Sequence, residues 1–371
     1  MTGGTDLLVV GGGLWGMAAA WRCAEGGARV RVIHDEGVSA GSVAAGMLGP
    51  WSEAEDGQAA LNAMLRAAAQ AWPDFADRLA EASGADPGYL RSGAVLVAAR
   101  PEHIGAVRHR LTAMGALGSP SPWLSGSSLR AIERGLSPRV AGGADLPDEH
   151  QVDPRRLLAA LRDALHGAGV EVVHDAATAA QRHVVELASG RRLRAGRVLI
   201  ASGWTATRLS ARVTLRPVKG QILRLGVPPG GEMPIRRVVR TPSVYLVPRA
   251  DGELVVGATS EEASDRRVSA GAVHGLLDEA IHVVPDVREL ELREAAAGLR
   301  PTTTDGLPVL GEDEDGVLWA AGGSRHGVLM TPSVAEAIAE LAGGGVLPGW
   351  ALPFSPRRFG VQQPQVACAS R

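Results

Sequence analysis

Short apolar runs that end on glycine mark the beginning, middle and end of this chain. Each reads as a strand buried on both faces of a parallel sheet. The first, Asp6-Leu7-Leu8-Val9-Val10, runs straight into Gly11-Gly12-Gly13-Leu14-Trp15-Gly16 and an alanine-rich helix from Met17 to Ala24; a second strand follows at Arg29 to Ile33. Arg197 to Gly203 and Val317 to Gly323 share the pattern of apolar strand and glycine turn. Between them lie a loop of small residues from Gly37 to Gly49 and the acidic stretch Glu53-Ala54-Glu55-Asp56. That stretch opens a helical period through Met64, Leu65, Ala68 and Trp72. Gly93 to Ala98 reads as a buried strand, Arg100 to Met114 as a helix, and 115 to 128 as a Gly/Ser/Pro loop. Asp153 is placed to cap a helix from Arg155 to His166, with Pro154 in its first turn.

From Val170 the chain turns strand-rich, at Val170 to Val173 and His183 to Leu187. Gln221 to Leu225, Arg236 to Arg240, Val244 to Val247 and Glu253 to Val256 are spaced like an antiparallel sheet. Leu276 to Ile281 and Ser333 to Leu341 read as helices. No internal repeat appears. The fold class predicted is α/β: a Rossmann-like nucleotide domain interrupted by an antiparallel-sheet domain, with the ligand cleft between them. The nucleotide domain takes residues 1–80, 140–212 and 296–359, and the inserted domain takes 81–139 and 213–295. The polar tail, 360–371, is expected to be disordered.

Composition narrows the classes. At 371 residues and 45% apolar the chain can bury a large core. A net charge of -2 gives no field for nucleic acid, and Arg236-Arg237 and Arg357-Arg358 read as solvated faces. Only Cys23 and Cys368 are present, and the ten histidines fall at no metal-ligand spacing, so neither a disulfide framework nor a metal site is expected. No run reaches the roughly 20 apolar residues of a membrane span, and no signal core precedes the first strand. A cytoplasmic protein without a membrane partner is the expectation.

The sharpest chemistry sits in the first turn. Gly11 makes the turn tight, Gly13 lets backbone approach a diphosphate, and Gly16 lets the helix pack on the strand. The phosphates then rest on the helix N-terminus. With 48 glycines the motif alone is weak, and its strand-turn-helix context carries the reading. The acid that holds the ribose, about 20 residues on, is replaced by His34 followed by Asp35 and Glu36; Asp35 is the nearest substitute.

Further motifs occur in order: Ala44-Ala45-Gly46-Met47-Leu48-Gly49 with Glu53 and Glu55 behind it, Ala201-Ser202-Gly203-Trp204, Arg216-Pro217-Val218-Lys219-Gly220-Gln221, Tyr245-Leu246-Val247-Pro248-Arg249, Val256-Gly257-Ala258-Thr259, Gly298-Leu299-Arg300-Pro301, Asp305-Gly306-Leu307-Pro308-Val309-Leu310-Gly311 and Ala321-Gly322-Gly323-Ser324-Arg325-His326-Gly327. Through Phe359 the chain resembles the FAD-dependent D-amino-acid oxidase superfamily, most closely the glycine oxidases associated with thiamine thiazole synthesis. The resemblance implies a Rossmann-like FAD-binding domain with a D-amino-acid-oxidase-like substrate domain. It also implies non-covalent FAD, and oxidation of a small amino acid by oxygen through an imine to a keto acid, ammonia and hydrogen peroxide.

By that resemblance Tyr245 and Arg300 hold the substrate carboxylate, with Arg325 a second arginine and Met47 beside substrate and flavin. Gly11, Gly13, Gly16, Asp35, Ala45, Gly46, Met47, Gly203, Gly322, Gly323, Arg325 and Gly327 would contact the cofactor. On residue type alone Tyr245 and Met47 could be core packing, and Arg300 a structural ion pair; the position of Arg300 before Pro301 and a loop favours a site. Departures are Ser243, where a histidine is common, Ser260, and the run Gly323 to His326. Smaller groups there imply a wider cavity, which leaves sarcosine, other N-substituted glycines, small D-amino acids and cyclic imino acids as alternative substrates. A dehydrogenase, or a flavoprotein without catalysis, also stays open. Relatives are often homo-oligomers, and no surface stripe here specifies one.

Overall fold

The computed structural model describes residues 4–360. A six-stranded sheet runs in the order Val309–Glu312, Leu318–Ala321, Arg197–Ile200, Leu7–Val10, Val30–His34, Glu171–His174. All neighbours are parallel except the first pair. Its centre is β1 (Leu7–Val10), wholly buried, followed by α1 (Leu14–Glu25) and β2 (Val30–His34). Ala18, Ala19 and Ala20 are fully buried on α1, and such small side chains let its axis lie close to its neighbours. Gly16 closes the unit: a Cβ there would sit 2.0 Å from the Gly11 carbonyl oxygen and 3.3 Å from Ala201 Cβ. Cys23, on the same helix, is buried with a free thiol, and burial pushes its pKa up to about 12.

An eight-stranded sheet follows the order Glu291–Thr303, Leu215–Gly226, Glu253–Gly257, Tyr245–Pro248, Val238–Arg240, Ala94–Ala98, Gly142–Leu146, Leu124–Ser125. The four predicted strands between 216 and 260 are present, the first lengthened to Leu215–Gly226. Val238–Arg240 pairs parallel with Ala94–Ala98, and the other neighbours are antiparallel. Glu291–Thr303 corrects the sequence reading: Arg300 and Pro301 lie inside this strand, not ahead of a loop. Its glutamates, alanines and proline disfavour strand locally, and ladder pairing along the whole of Leu215–Gly226 overrides that preference. Pro301 stands opposite Pro217, so the missing donors fall on one rung.

Two expected loops also contain structure. Ala40–Val43 is a helical turn capped by Ser39, and Met47–Leu48 pairs with His150–Val152. Within 115–128, Leu124–Ser125 is a strand and Gly126 begins a short helix. The helix Pro154–Gly167 starts as expected, with Asp153 accepting from the Arg155 and Arg156 amides. Gly142–Leu146, in the segment 140–212, belongs to the eight-stranded sheet, and Glu291–Thr303 crosses residue 296. The two arginine pairs are partly structural rather than wholly solvated: Arg237 pairs with Asp145 and Arg358 with Asp305.

Met47–Leu48, His150–Val152 and Tyr89–Leu90 form a small separate ladder. Arg249, buried at the end of its hairpin strand, donates to Gln151 Oε1 at 2.7 Å, to the Val152 carbonyl at 3.0 Å and to the Ala45 carbonyl. One guanidinium thereby ties the end of the Tyr245–Pro248 strand to this small ladder and to the 44–49 loop. No helix among the described residues is long and apolar enough to cross a membrane. The tail from residue 361, including Cys368, lies outside the described residues.

Gly16→Ala should cost about 1–3 kcal/mol, because its methyl has nowhere to go. Gly105→Ala, exposed in the helix His103–Ala116 with open space around it, should instead stabilise by about 0.5–1 kcal/mol. Urea midpoints of the two variants would move in opposite directions.

Candidate active site

A cavity of about 740 Å³ is walled by both sheets. One side is bare backbone. Gly11 has φ +123, and a Cβ would lie 2.5 Å from the Ala201 carbonyl oxygen; at Gly13 the nearest atom to such a Cβ would be Ser39 Cβ at 3.9 Å. α1 begins immediately behind, with no side-chain cap and no acid in its first turn. Its free N–H groups and positive end are left for an anion. Gly16 lies behind this wall and serves close packing, while Gly11 and Gly13 line the cavity.

His34 and Asp35 also line the cavity. The imidazole lies against Gly12, where a Cβ would be 2.5 Å from the ring, and its burial lowers its pKa and favours the neutral form. Asp35 is exposed, and its Oδ1 accepts from the Gly37 amide at 3.2 Å.

The opposite side is built on the eight-stranded sheet. Arg300 reaches across Gly220, where a Cβ would lie 2.4 Å from its guanidinium, and donates to the Thr259 carbonyl at 3.2 Å. Tyr245 pairs with Gly257, and its phenol lies over that glycine, the hydroxyl oxygen 2.5 Å and ring Cζ 2.6 Å from where a Cβ would be. The two side chains thus converge on the 257–259 segment from strands that lie on either side of the central pair Leu215–Gly226 and Glu253–Gly257. Glycine at 220 and 257 is what lets them lie flat. Among the described residues no carboxylate stands within salt-bridge distance of Arg300, which leaves its charge for something in the cavity.

The 323–327 turn closes a third side. Trp15 Nε1 donates to the Gly327 carbonyl at 2.7 Å, and the Ser324 amide donates to Pro301 at 2.9 Å, so the turn is fastened to α1 and to the Arg300 strand. Exposed Arg325 projects from it into the cavity lining, with Ala45, Gly46, Met47, Gly203, Gly322, Gly323 and Gly327 also on the walls. Ser243 and Ser260 are not: both are exposed, and Ser243 donates to Glu279 at 2.7 Å. The expectation that they widen the cavity is therefore corrected.

The family model described as DAO, FAD dependent oxidoreductase, matches residues 6–341. The chain belongs to this family of FAD-dependent oxidoreductases. It is 35% identical to a glycine oxidase of Geobacillus kaustophilus (strain HTA426), over 92% of this chain and 93% of that protein. Against a glycine oxidase of Bacillus licheniformis it is 30% identical, over 95% and 97%. The crystal structure of glycine oxidase from Geobacillus kaustophilus superposes with a TM-score of 0.88 at 33% identity, covering 95% of this chain and 98% of that one. The residues present fit the family's FAD: a side-chain-free glycine turn, an uncapped helix N-terminus and a cavity within the range of about 300–1,000 Å³ usual for cofactors.

Arg240 escaped the sequence reading, and Glu53 and His326 entered it as parts of motifs without a site role. Arg240 stands directly opposite Tyr245 in the hairpin ladder and lines the cavity, as does Glu53. His326, buried behind them, has Nε2 3.5 Å from Glu55 and Nδ1 3.9 Å from Glu53. Hairpin register gives the missing signal for Arg240: closing 241–244 as the turn places it on the same face as Tyr245.

Tyr89 and Tyr245, the two tyrosines of the chain, both have pKa values raised by burial. The native protein should therefore show little phenolate at pH 10, where a free tyrosine is about half ionised. A difference-absorbance titration of wild type against Tyr245→Phe checks this. The linked stability is complete below pH 10 and is lost as pH rises through the folded-state values, since the unfolded chain releases these protons first.

Proposed function

We propose that this oxidoreductase oxidises glycine or a similarly small amino acid, giving an imine that water hydrolyses to a keto acid and ammonia, with oxygen reduced to hydrogen peroxide. The carrying observation is Arg300: a half-buried guanidinium on a cavity wall, with carbonyl oxygens as its hydrogen-bond partners. Such a group calls for a carboxylate, which it can take bidentately. The glycine oxidases that the chain resembles supply the amine half of the reading. FAD, when bound, supplies a two-electron acceptor.

The chain's own work is orientation. Arg300 takes the substrate carboxylate, Tyr245 adds a neutral hydrogen bond from a phenol kept protonated by burial, and Arg325 contributes charge at the same cavity. Met47 packs beside the substrate. Holding the acid group at more than one point limits how the substrate's α-carbon can turn within the cavity. We assign the diphosphate to Gly11, Gly13 and the start of α1, with Gly16 supporting them. The ribose goes to Asp35 with His34 beneath it. Ala45, Gly46, Met47, Gly203, Gly322, Gly323, Arg325 and Gly327 complete the cofactor wall. The six-stranded sheet is thus the FAD side and the eight-stranded sheet the substrate side.

Arg300→Ala should retain FAD, read from the visible absorbance of the purified protein, and lose about 2–5 kcal/mol of transition-state stabilisation. That is roughly a 30- to several-thousand-fold fall in kcat/KM, measured as glycine-dependent peroxide release. Wild-type turnover by the variant would remove Arg300 from the assignment.

A further inference from the structure

A free amino acid carries two opposite charges, and the arginines answer only one of them. Resting on the reading above, we propose that Glu53 receives the substrate's amino group and that Arg240 is the positioning residue that presents it. Three acids line the cavity: Asp35, Asp175 and Glu53. Asp35 and Asp175 follow Val30–His34 and Glu171–His174, neighbouring strands of the six-stranded sheet, and so belong to the nucleotide side. Glu53 alone stands with Arg240 and Tyr245.

Glu53 is only 7% exposed, yet it lies on the cavity wall. Its Oε1 accepts from Arg240 Nη2 at 3.2 Å. Its Oε2 is 3.9 Å from His326 Nδ1, beyond hydrogen-bond range, so this oxygen keeps its acceptor capacity. Arg240 projects from the sheet face that bears Tyr245, its side chain 11% exposed. It packs over Gly49, where a Cβ would fall 2.9 Å from Nη1 and 3.0 Å from Glu149 Oε2. Glu149 is occupied: it accepts from the Trp51 amide at 3.1 Å, the Ser52 amide at 2.6 Å and Ser52 Oγ at 2.5 Å. The turn that carries Glu53 is thereby anchored from below, while Arg240 holds the carboxylate from the side.

The arrangement selects amino acids over acids of the same size that lack an amine. Arg300 serves both glycine and glycolate; Glu53 favours only the ligand that brings N–H donors and positive charge.

The test uses flavin-loaded wild type, Glu53→Gln, Arg240→Met and Arg240→Lys, with glycine as substrate and glycolate as competitive inhibitor. Glu53→Gln should raise the glycine KM by about ten- to a hundredfold, the worth of one charge-assisted hydrogen bond. Its kcat should change far less, and the glycolate inhibition constant should stay level or fall. Arg240→Met should move glycine KM in the same direction, and Arg240→Lys should recover most of the loss. An unchanged glycine KM in Glu53→Gln overturns the assignment, as does a parallel rise in glycine KM and glycolate inhibition constant, which would mean general damage to the site. Turnover by wild type with either of those results leaves the oxidase reading standing; no amino-acid oxidation by wild type overturns that reading itself.

Discussion

A cation without an acid organises this molecule. Arg300 is set into a sheet, half-buried, with carbonyl dipoles for neighbours and no carboxylate at contact distance among the described residues. Taking a charge out of water is costly unless a counter-charge arrives. The protein meets that cost with structure: the long antiparallel pair of Leu215–Gly226 and Glu291–Thr303 fixes the arginine's register, and Gly220 clears the space beneath its guanidinium. Tyr245 and Gly257 repeat the device one hairpin away.

That sheet would be useless if it could drift from the opposite cavity wall, and three kinds of tie prevent it. Arg249 joins the Ala45 and Val152 carbonyls through one buried side chain. Trp15 and Pro301 pin the two ends of the 323–327 turn, so a shift of α1 is felt at the Arg300 strand. Arg155, at the start of the Pro154–Gly167 helix, bonds to Glu294 on that same strand at 2.7 Å. The surface pair contributes little energy by itself, and the buried arginine carries most of the constraint.

The parallel core was legible because apolar runs and glycine turns are local signals: Leu7 to Val10, Arg197 to Ile200 and Leu318 to Ala321 each carry one and each is a strand. Arg300 and Tyr245 came from motif resemblance, and the structure sets both on one cavity wall, over glycines of two neighbouring strands. What stayed hidden depends on pairing across distance. Glu291–Thr303 has no strand signature of its own and becomes one only against its partner. Arg240 gains its meaning from facing Tyr245, and Glu53 from facing Arg240. Ser243 erred the other way: it is near Tyr245 in sequence, but the turn at 241–244 sends it to Glu279.

Among the described residues Cys23 holds the lone sulfhydryl, and its place inside α1 has a chemical consequence for a catalyst whose proposed product is hydrogen peroxide. Peroxide attacks the ionised sulfur, not the neutral one. A sulfur enclosed by α1 and its neighbours and kept protonated to about pH 12 offers that oxidant neither access nor a nucleophile. The helix whose first turn faces the cavity is in this way protected, along its own length, from corrosion by the proposed product.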